Sequence, residues 1–304
     1  MAKTFEVTIL GVNSAYPIHG RHPSCQIVNY DNRLIMIDCG EAAQIQVSKY
    51  SIKRSKINHI FISHLHGDHC YGLPGLLSSY GLQGRKSTLN LHGPIGIKKF
   101  VEGIFEATEA YLPFELNILE YDTEEQSTVV IDSSITVETF PMKHRIPTMG
   151  FKIIETIPEF NIKVDAIKEF EMSIEEIKGA KIGNSIIRDG VEIANSKLTF
   201  PKKDGRSYAY CSDTVYDPDL LPYIMNSSLL YHETTYLDDH ESLAKERMHT
   251  TLGQAIEIAK AAKIEKLIVG HYSSRYQDID VFLEEGLPKF SGLMLGEEGR
   301  VYEV

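Results

Sequence analysis

The stretch Ser63-His64-Leu65-His66-Gly67-Asp68-His69 constrains this chain more than any other. It gathers three histidines and one aspartate into six positions. Upstream, Asn58-His59-Ile60-Phe61-Ile62 is a mostly apolar run of the length expected for a buried strand. Downstream, Gly72, Pro74 and Gly75 mark a turn before Leu76-Leu77. The cluster is therefore expected at a strand end, where the chain turns away. Its nitrogen and oxygen donors suit a divalent metal such as zinc, manganese or iron. Four donors this close in sequence crowd a single ion. His64 and His66 alternate with Leu65, whereas Asp68 and His69 are adjacent, so two sub-sites are expected. The bland alternative is a polar surface turn that happens to carry histidines.

The 304 residues are enough for one large core or two domains. A formal net charge of -11 argues against a protein wrapped nonspecifically in nucleic acid, but leaves room for a local basic groove. The four cysteines, Cys25, Cys39, Cys70 and Cys211, are too widely spaced for a zinc finger or a redox pair. Reduced thiols in a cytoplasmic protein are the expectation. Residues 1–10 show no signal-peptide pattern, and no apolar run reaches membrane-spanning length.

Read in order, the chain alternates strands with helices. Strands are predicted at Phe5–Leu10, Cys25–Tyr30, Leu34–Ile37, Thr88–His92, Leu116–Tyr121, Thr128–Ile131, Ile135–Phe140, Gly150–Glu155, Ser207–Cys211, Leu229–Tyr231 and Leu267–Gly270. Helices are predicted at Glu41–Tyr50, Leu73–Leu82, within Gly96–Leu112, at Thr250–Ala262 and at Asp278–Glu285. A recurring feature is a strand ending in an imidazole or carboxylate, at His64, His144, Asp213 and His271. Loops on one side of a rigid sheet are good places to assemble a site. Asp38, after the third strand, has two equal readings. It either supports a ligand histidine or caps the helix that follows.

Residues 159–193 change character. Short helical patterns at Asp165–Phe170 and Ser173–Lys178 precede a hairpin turning on Asp189-Gly190. This reads as an appendage within a single domain spanning 1–304, because it is too short for a large core of its own. Lys202, Lys203 and Arg206 then form a basic turn, either solvated or touching phosphate. A mixed α/β sandwich with one continuous core is expected.

These residues resemble a known family. His64-Leu65-His66-Gly67-Asp68-His69 is similar to the signature of the metallo-β-lactamase-fold hydrolases. Phe61 through Leu76, Ile37-Asp38-Cys39-Gly40-Glu41, His144-Arg145-Ile146-Pro147 and Tyr210-Cys211-Ser212-Asp213-Thr214 resemble the ribonuclease Z family. So do His232-Glu233-Thr234-Thr235-Tyr236, His249-Thr250-Thr251 and Gly270-His271-Tyr272-Ser273-Ser274-Arg275-Tyr276. The resemblance covers nearly the whole chain. It implies a four-layered αββα sandwich, two zinc ions per chain and a homodimer. His64, His66 and His144 would hold one ion, Asp68, His69 and His271 the other, and Asp213 would bridge them. The implied reaction is removal of 3′ trailers from precursor transfer RNA by hydroxide attack at a two-metal centre. It would leave a 3′ hydroxyl on the transfer RNA and a 5′-phosphorylated trailer. His249 would protonate the leaving 3′ oxygen, with Glu233 orienting or charging it and Asp68 belonging to the catalytic set. Arg275 and Arg21 would touch phosphate or support the fold. The sequence departs from the family pattern at Ala42 and at His22. The stretch 170–189 also lacks the Gly-Pro pair of the protruding arm that many members carry. Two alternatives stand beside this reading. One is a related metal-dependent hydrolase of small phosphodiesters or esters. The other is a non-enzymatic RNA-binding protein with a structural metal site.

Overall fold

A computed structural model describes residues 3–157, 159–201 and 204–304. Its strands, in chain order, begin with β1 (Phe5–Gly11), β2 (Cys25–Tyr30), β3 (Arg33–Ile37), β4 (Ile57–Phe61), β5 (Leu89–Pro94) and β6 (Leu116–Tyr121). There follow β7 (Ser127–Asp132), β8 (Ile135–Met142), β9 (Thr148–Glu155), β10 (Ile186–Arg188) and β11 (Val191–Ile193). The last five are β12 (Ser207–Cys211), β13 (Leu229–Glu233), β14 (Leu267–Gly270), β15 (Leu293–Leu295) and β16 (Val301–Glu303). The chain divides into two compact units. The larger comprises 1–128, 138–153 and 207–304, and the smaller comprises 129–137 and 154–206.

Two mixed sheets form the centre of the larger unit. The first runs β16-β1-β2-β3-β4-β5-β6, antiparallel from β16 to β3 and parallel from β3 to β6. The second runs β15-β14-β13-β12-β9-β8, with parallel pairing from β12 to β15. Parallel strands must be covered on both faces, which explains why β12, β13 and β14 are buried along their whole length. The sheets face each other through side chains. Phe61 on β4 meets Phe151 on β9 edge-on at 5.4 Å, and the Tyr208 hydroxyl donates to Gln26. On the outer face of the first sheet, Leu10, Ile27, Met36 and Ile60 pack with Val47, Leu76, Leu77 and Val101 of the helices Ala43–Lys49, Leu73–Leu82 and Ile97–Ala107. The helices Leu252–Ala261 and Asp280–Gly286 lie against β13, β14 and β15 of the second sheet. The layers are thus αββα, as expected.

The smaller unit has its own apolar centre, built from Ala166, Met172, Ala180, Ile186, Ile193 and Leu198. Its helix Ile174–Lys181 opens with a capping box between Ser173 and Glu176. The β10–β11 hairpin turns at Asp189 (φ 49°) and Gly190 (φ 78°), the left-handed pair that a two-residue turn requires. The expected appendage at 159–193 lies inside this unit.

Two local differences from the sequence reading have physical reasons. The helix expected from Glu41 starts at Ala43, because Ala42 takes a left-handed conformation (φ 68°). The helix expected within Gly96–Leu112 spans Ile97–Ala107, with Glu109 beyond it at φ 50°. A helix at Glu241–Arg247 was not expected, because its short, charged sequence carries little apolar periodicity. No helix among the described residues is long and apolar enough to cross a membrane.

Candidate metal centre

The ligand candidates stand at or just beyond the ends of β4, β8, β12 and β14, so both sheets contribute. The motif loop 62–70 leaves β4 and starts a short helix at Gly67–Cys70. The backbone holds it down, with Cys39 N–H donating to the His69 carbonyl at 2.8 Å and Gly72 N–H to that of Cys39 at 2.9 Å. Gly72 must lack a side chain, because a Cβ there would lie 2.0 Å from the Gly40 carbonyl oxygen.

Two groups of donor atoms result. His64, His66, His144 and Asp213 form one, and Asp68, His69, Asp213 and His271 the other. Within each group the donor atoms lie within 4.8 Å of one another. Asp213 belongs to both, and its two oxygens divide between them. Oδ2 lies 3.7 Å from His64 Nε2 and 3.8 Å from His144 Nε2. Oδ1 lies 3.3 Å from His69 Nε2 and 3.2 Å from His271 Nε2. Oδ1 is buried yet accepts no hydrogen bond. A buried carboxylate oxygen left in that state is costly unless a cation faces it. His66 Nδ1 likewise converges with His64 Nε2 at 3.1 Å and His144 Nε2 at 3.2 Å. This donor set fits two divalent cations.

The far side of nearly every ring is held. His69 Nδ1 lies 2.7 Å from Asp38 Oδ2, and His271 Nδ1 lies 2.9 Å from Thr235 Oγ1. His144 Nδ1 donates to the Met248 carbonyl at 2.9 Å, and His64 Nδ1 lies 3.0 Å from Ser63 Oγ. Such partners fix the tautomer and aim the other nitrogen, as around metal-ligating histidines generally. Asp38 therefore takes the supporting role. It also accepts from Ser63 N–H at 2.7 Å and from the Tyr210 hydroxyl at 2.7 Å. It does not cap the following helix, whose first turn has no side-chain cap. Asp38 (φ 55°), His271 (φ 62°) and Met248 (φ 59°) all adopt left-handed backbone, which costs on the order of 1 kcal/mol or more for a residue with a side chain. This backbone aims His271 at the centre, and Asp38 and the Met248 carbonyl at the far sides of His69 and His144.

The electrostatics divide the imidazoles. Burial, reinforced by the neighbouring His69, pushes the His64 imidazole well below its usual range. Burial holds His144 down at about 4. Both are therefore neutral, as ligands must be. For His69 burial acts downward too, but Asp213, Asp38 and Asp68 outweigh it and raise the group. Asp213 and Asp68 are held low by the surrounding imidazoles, His271 and His69 foremost, in spite of burial. The carboxylates stay ionised and the pocket attracts positive charge.

Beside the two groups stands His249, which with His66, Asp68, Arg145, Asp213 and Tyr71 lines an open cavity of about 380 Å³. Its Nδ1 lies 3.0 Å from Glu233 Oε1. Glu233 is fully buried and saturated. Oε1 also accepts from Thr250 N–H at 2.9 Å and Thr214 N–H at 3.3 Å, while Oε2 accepts from Thr235 N–H at 2.9 Å and its hydroxyl at 2.8 Å. Glu233, His249 and His271 also cluster closely enough to suggest a third ion. The five donors on Glu233 leave it little capacity to bind one. Burial lowers the His249 pKa, but Glu233 more than reverses this and raises it.

The Arg21 guanidinium donates to the Gln277 carbonyl at 2.9 Å, to that of Tyr276, and to Asn13 Oδ1 at 3.2 Å, so it ties two loops together. Arg275 is exposed and lies over the Tyr236 ring at 5.3 Å. Arg206, in the smaller unit, forks onto Glu155 at 3.0 Å with both Nε and Nη2. Lys202 and Lys203 lie outside the described residues. Sequence reasoning missed Thr235, the Met248 carbonyl and Ala15, whose N–H donates to Asp68 Oδ2 at 2.7 Å. No local pattern could have found a backbone group 53 positions from its partner.

The family model described as Anti-Pycsar protein Apyc1 matches residues 5–157. Ribonuclease Z of Bacteroides fragilis is 40% identical over 295 residues, covering 97% of this chain and 97% of its own. Ribonuclease Z of Parabacteroides distasonis is 40% identical over 296 residues, again with 97% and 97% covered. Among solved structures, human tRNase Z, short form, superposes with a TM-score of 0.72 at 25% identity, over 98% of this chain and 99% of that one. The metallo-beta-lactamase fold protein YhfI from Bacillus subtilis shares the fold at a TM-score of 0.69 and 17% identity, over 99% and 100% of the two chains.

Proposed function

The chain belongs to the ribonuclease Z family, and on that premise we propose that it removes 3′ trailers from precursor transfer RNA as a zinc-dependent endoribonuclease. The observation that supports this most is the division of Asp213 between two donor groups, with an independently held His249 beside them.

His64, His66 and His144 would hold one zinc ion, Asp68, His69 and His271 the other, and Asp213 both. Two such ions, when bound, lower the pKa of a water molecule and neutralise charge on a phosphodiester. The protein's own groups do the rest. Asp38, Thr235, Ser63 and the Met248 carbonyl keep the imidazoles aimed. Glu233 holds His249 by Nδ1 and favours its charged form. The proton on Nε2 is then available to the cavity, where it passes to the departing 3′ oxygen of the transfer RNA. The trailer leaves with a 5′ phosphate. Glu233 is a positioning residue, because it touches His249 and not the substrate.

With a net charge of -11, contact with RNA must be local, and its candidate places are Arg275 and, outside the described residues, Lys202 and Lys203, whereas Arg206 is taken up by Glu155. We further propose a cytoplasmic homodimer; no helix among the described residues is long and apolar enough to cross a membrane. The chain would be one hydrolase domain carrying the appendage. Incubation with a 3′-extended precursor transfer RNA, with ends mapped to one nucleotide, is the direct test. The expected result is one cut at the trailer junction and a retained 3′ hydroxyl. Turnover of a small phosphodiester or ester with the RNA left intact would transfer the site to a different hydrolase. RNA binding with no cut and no bound metal would make it a binding protein.

A further inference from the structure

Resting on that reading, we propose that a second cavity beside the metal centre is a subsite for the first trailer nucleotide. In it Arg145 binds the next phosphate and Tyr223 stacks on the base. The cavity measures about 680 Å³, and its lining includes Met142, His144, Arg145, Val215, Tyr223 and Met248. It shares His144 with the metal centre and Arg145 with the metal-centre cavity. Arg145 therefore stands on the boundary between the two spaces.

The loop between β8 and β9 explains why this arginine is available. Lys143 turns to the wall, where its ammonium lies 2.9 Å from Asp217 Oδ1 and 2.6 Å from Asp219 Oδ2. His144 turns inward, and the Lys143 carbonyl accepts from Val215 N–H at 3.0 Å, fixing the backbone between them. Arg145 is exposed and forms no hydrogen bond or ion pair among the described residues. A planar, always-charged fork on a fixed backbone suits a phosphate. The cavity itself suits a base better than a phosphate. Glu124, Asp217 and Asp219 contribute negative charge to its wall, while Met142, Met248 and Val215 are apolar. The Tyr223 ring is held flat against Phe140, with centroids 5.5 Å apart and planes 7° from parallel. An immobilised ring at a cavity wall is a platform for base stacking, which tolerates any sequence.

The position of His249 decides which side of the cut this is. His249 lines the metal-centre cavity and a separate one of about 370 Å³ with Tyr216, Lys245 and Gln254, and takes no part in the Arg145–Tyr223 cavity. The acid belongs with the leaving oxygen, and so with the retained strand. The cavity without it belongs to the trailer.

The test compares precursor transfer RNAs with a single-nucleotide trailer, which lacks the next phosphate, and with longer trailers. The unchanged protein should favour the longer ones by about tenfold in kcat/KM, mainly through KM, the scale of one charge-assisted hydrogen bond. Arg145→Ala should collapse that ratio toward one with metal content unaltered, and Arg145→Lys should restore part of it. An abasic first trailer nucleotide probes the stacking on the unchanged protein, and should raise KM by about tenfold. A length ratio that survives Arg145→Ala, or a KM insensitive to the abasic trailer, overturns the subsite while leaving trailer removal intact. Failure of the unchanged protein to cut any precursor removes the proposed function, and this inference with it.

Discussion

Asp38 Oδ2 lies 2.7 Å from His69 Nδ1, both groups are buried, and the two residues stand 31 positions apart, Asp38 just after β3 and His69 in the short helix that follows β4. The carboxylate fixes the ring so that Nε2 faces the metal centre. Replacing it with Ala frees the ring and strips Ser63 N–H and the Tyr210 hydroxyl of their acceptor. Asp38→Ala should weaken metal binding by about 10- to 100-fold, the usual scale for losing such a support. Competition against a chelator of known affinity measures it, and an unchanged affinity would contradict the role.

Asp213 serves both donor groups, so Asp213→Asn should lower metal content at both positions. Elemental analysis of purified protein should find close to two ions per chain before the change and markedly fewer after it. Loss of a single ion, with the second retained at full affinity, would show that the carboxylate does not bridge.

His249→Ala should keep its metals and bind precursor transfer RNA nearly as before, while the cleavage step falls by about two to four orders of magnitude. Glu233→Gln gives a more specific readout. Glu233 raises the His249 pKa, and an acid works only below its pKa. Removing the charge lowers that pKa, so the alkaline limb of the pH–rate profile should move to lower pH. A falling rate with an unmoved limb would make Glu233 merely structural.

His92 supplies a test of stability away from the chemistry. It is buried on β5, stacked at 4.2 Å on Phe61, with Nδ1 2.9 Å from the Tyr121 hydroxyl. Burial, with His59 beside it, pushes its pKa down to about 3. Between pH 6.5 and 3 the unfolded chain binds the proton and the folded one does not, so this contribution to stability is complete above about 6.5 and lost as pH falls. Acidification from pH 7 to 4 should cost on the order of 3 kcal/mol through this one group. Denaturant unfolding of His92→Phe should show a correspondingly shallower pH dependence. Equal slopes in the two proteins would place the acid lability elsewhere.

Strand-end donors were legible because each is announced by the apolar run before it. Leu267–Gly270 leads straight to His271, and Ser207–Cys211 to Ser212-Asp213. What holds the donors was less legible, because those partners come from distant sequence. Met248 meets His144 across 104 positions, and Thr235 meets His271 across 36. Asp38 kept two readings for the same reason, since a carboxylate before a helix has a local role available and only the fold shows that another strand uses it. Arg21 reads as a loop cation, yet its guanidinium is taken up by carbonyls 255 and 256 positions away. The helix Glu241–Arg247, which brings the Ala244 carbonyl to His249 N–H at 2.8 Å, is too short and polar to declare itself.

The donors of the metal centre are drawn from both sheets and from positions 64 to 271. A pair of ions there would act as a rivet through the sandwich. An incomplete chain that ends before β12 lacks Asp213, the carboxylate common to both groups, and cannot complete either position. Ion capture must therefore follow folding, and in turn protects what has folded. At a free ion concentration a thousand times the dissociation constant, one site adds about 4 kcal/mol of protection. Metal supply would then govern how long the protein survives as well as how fast it works. Digestion by a nonspecific protease, with and without chelator, would show this as a shortened lifetime of the stripped protein.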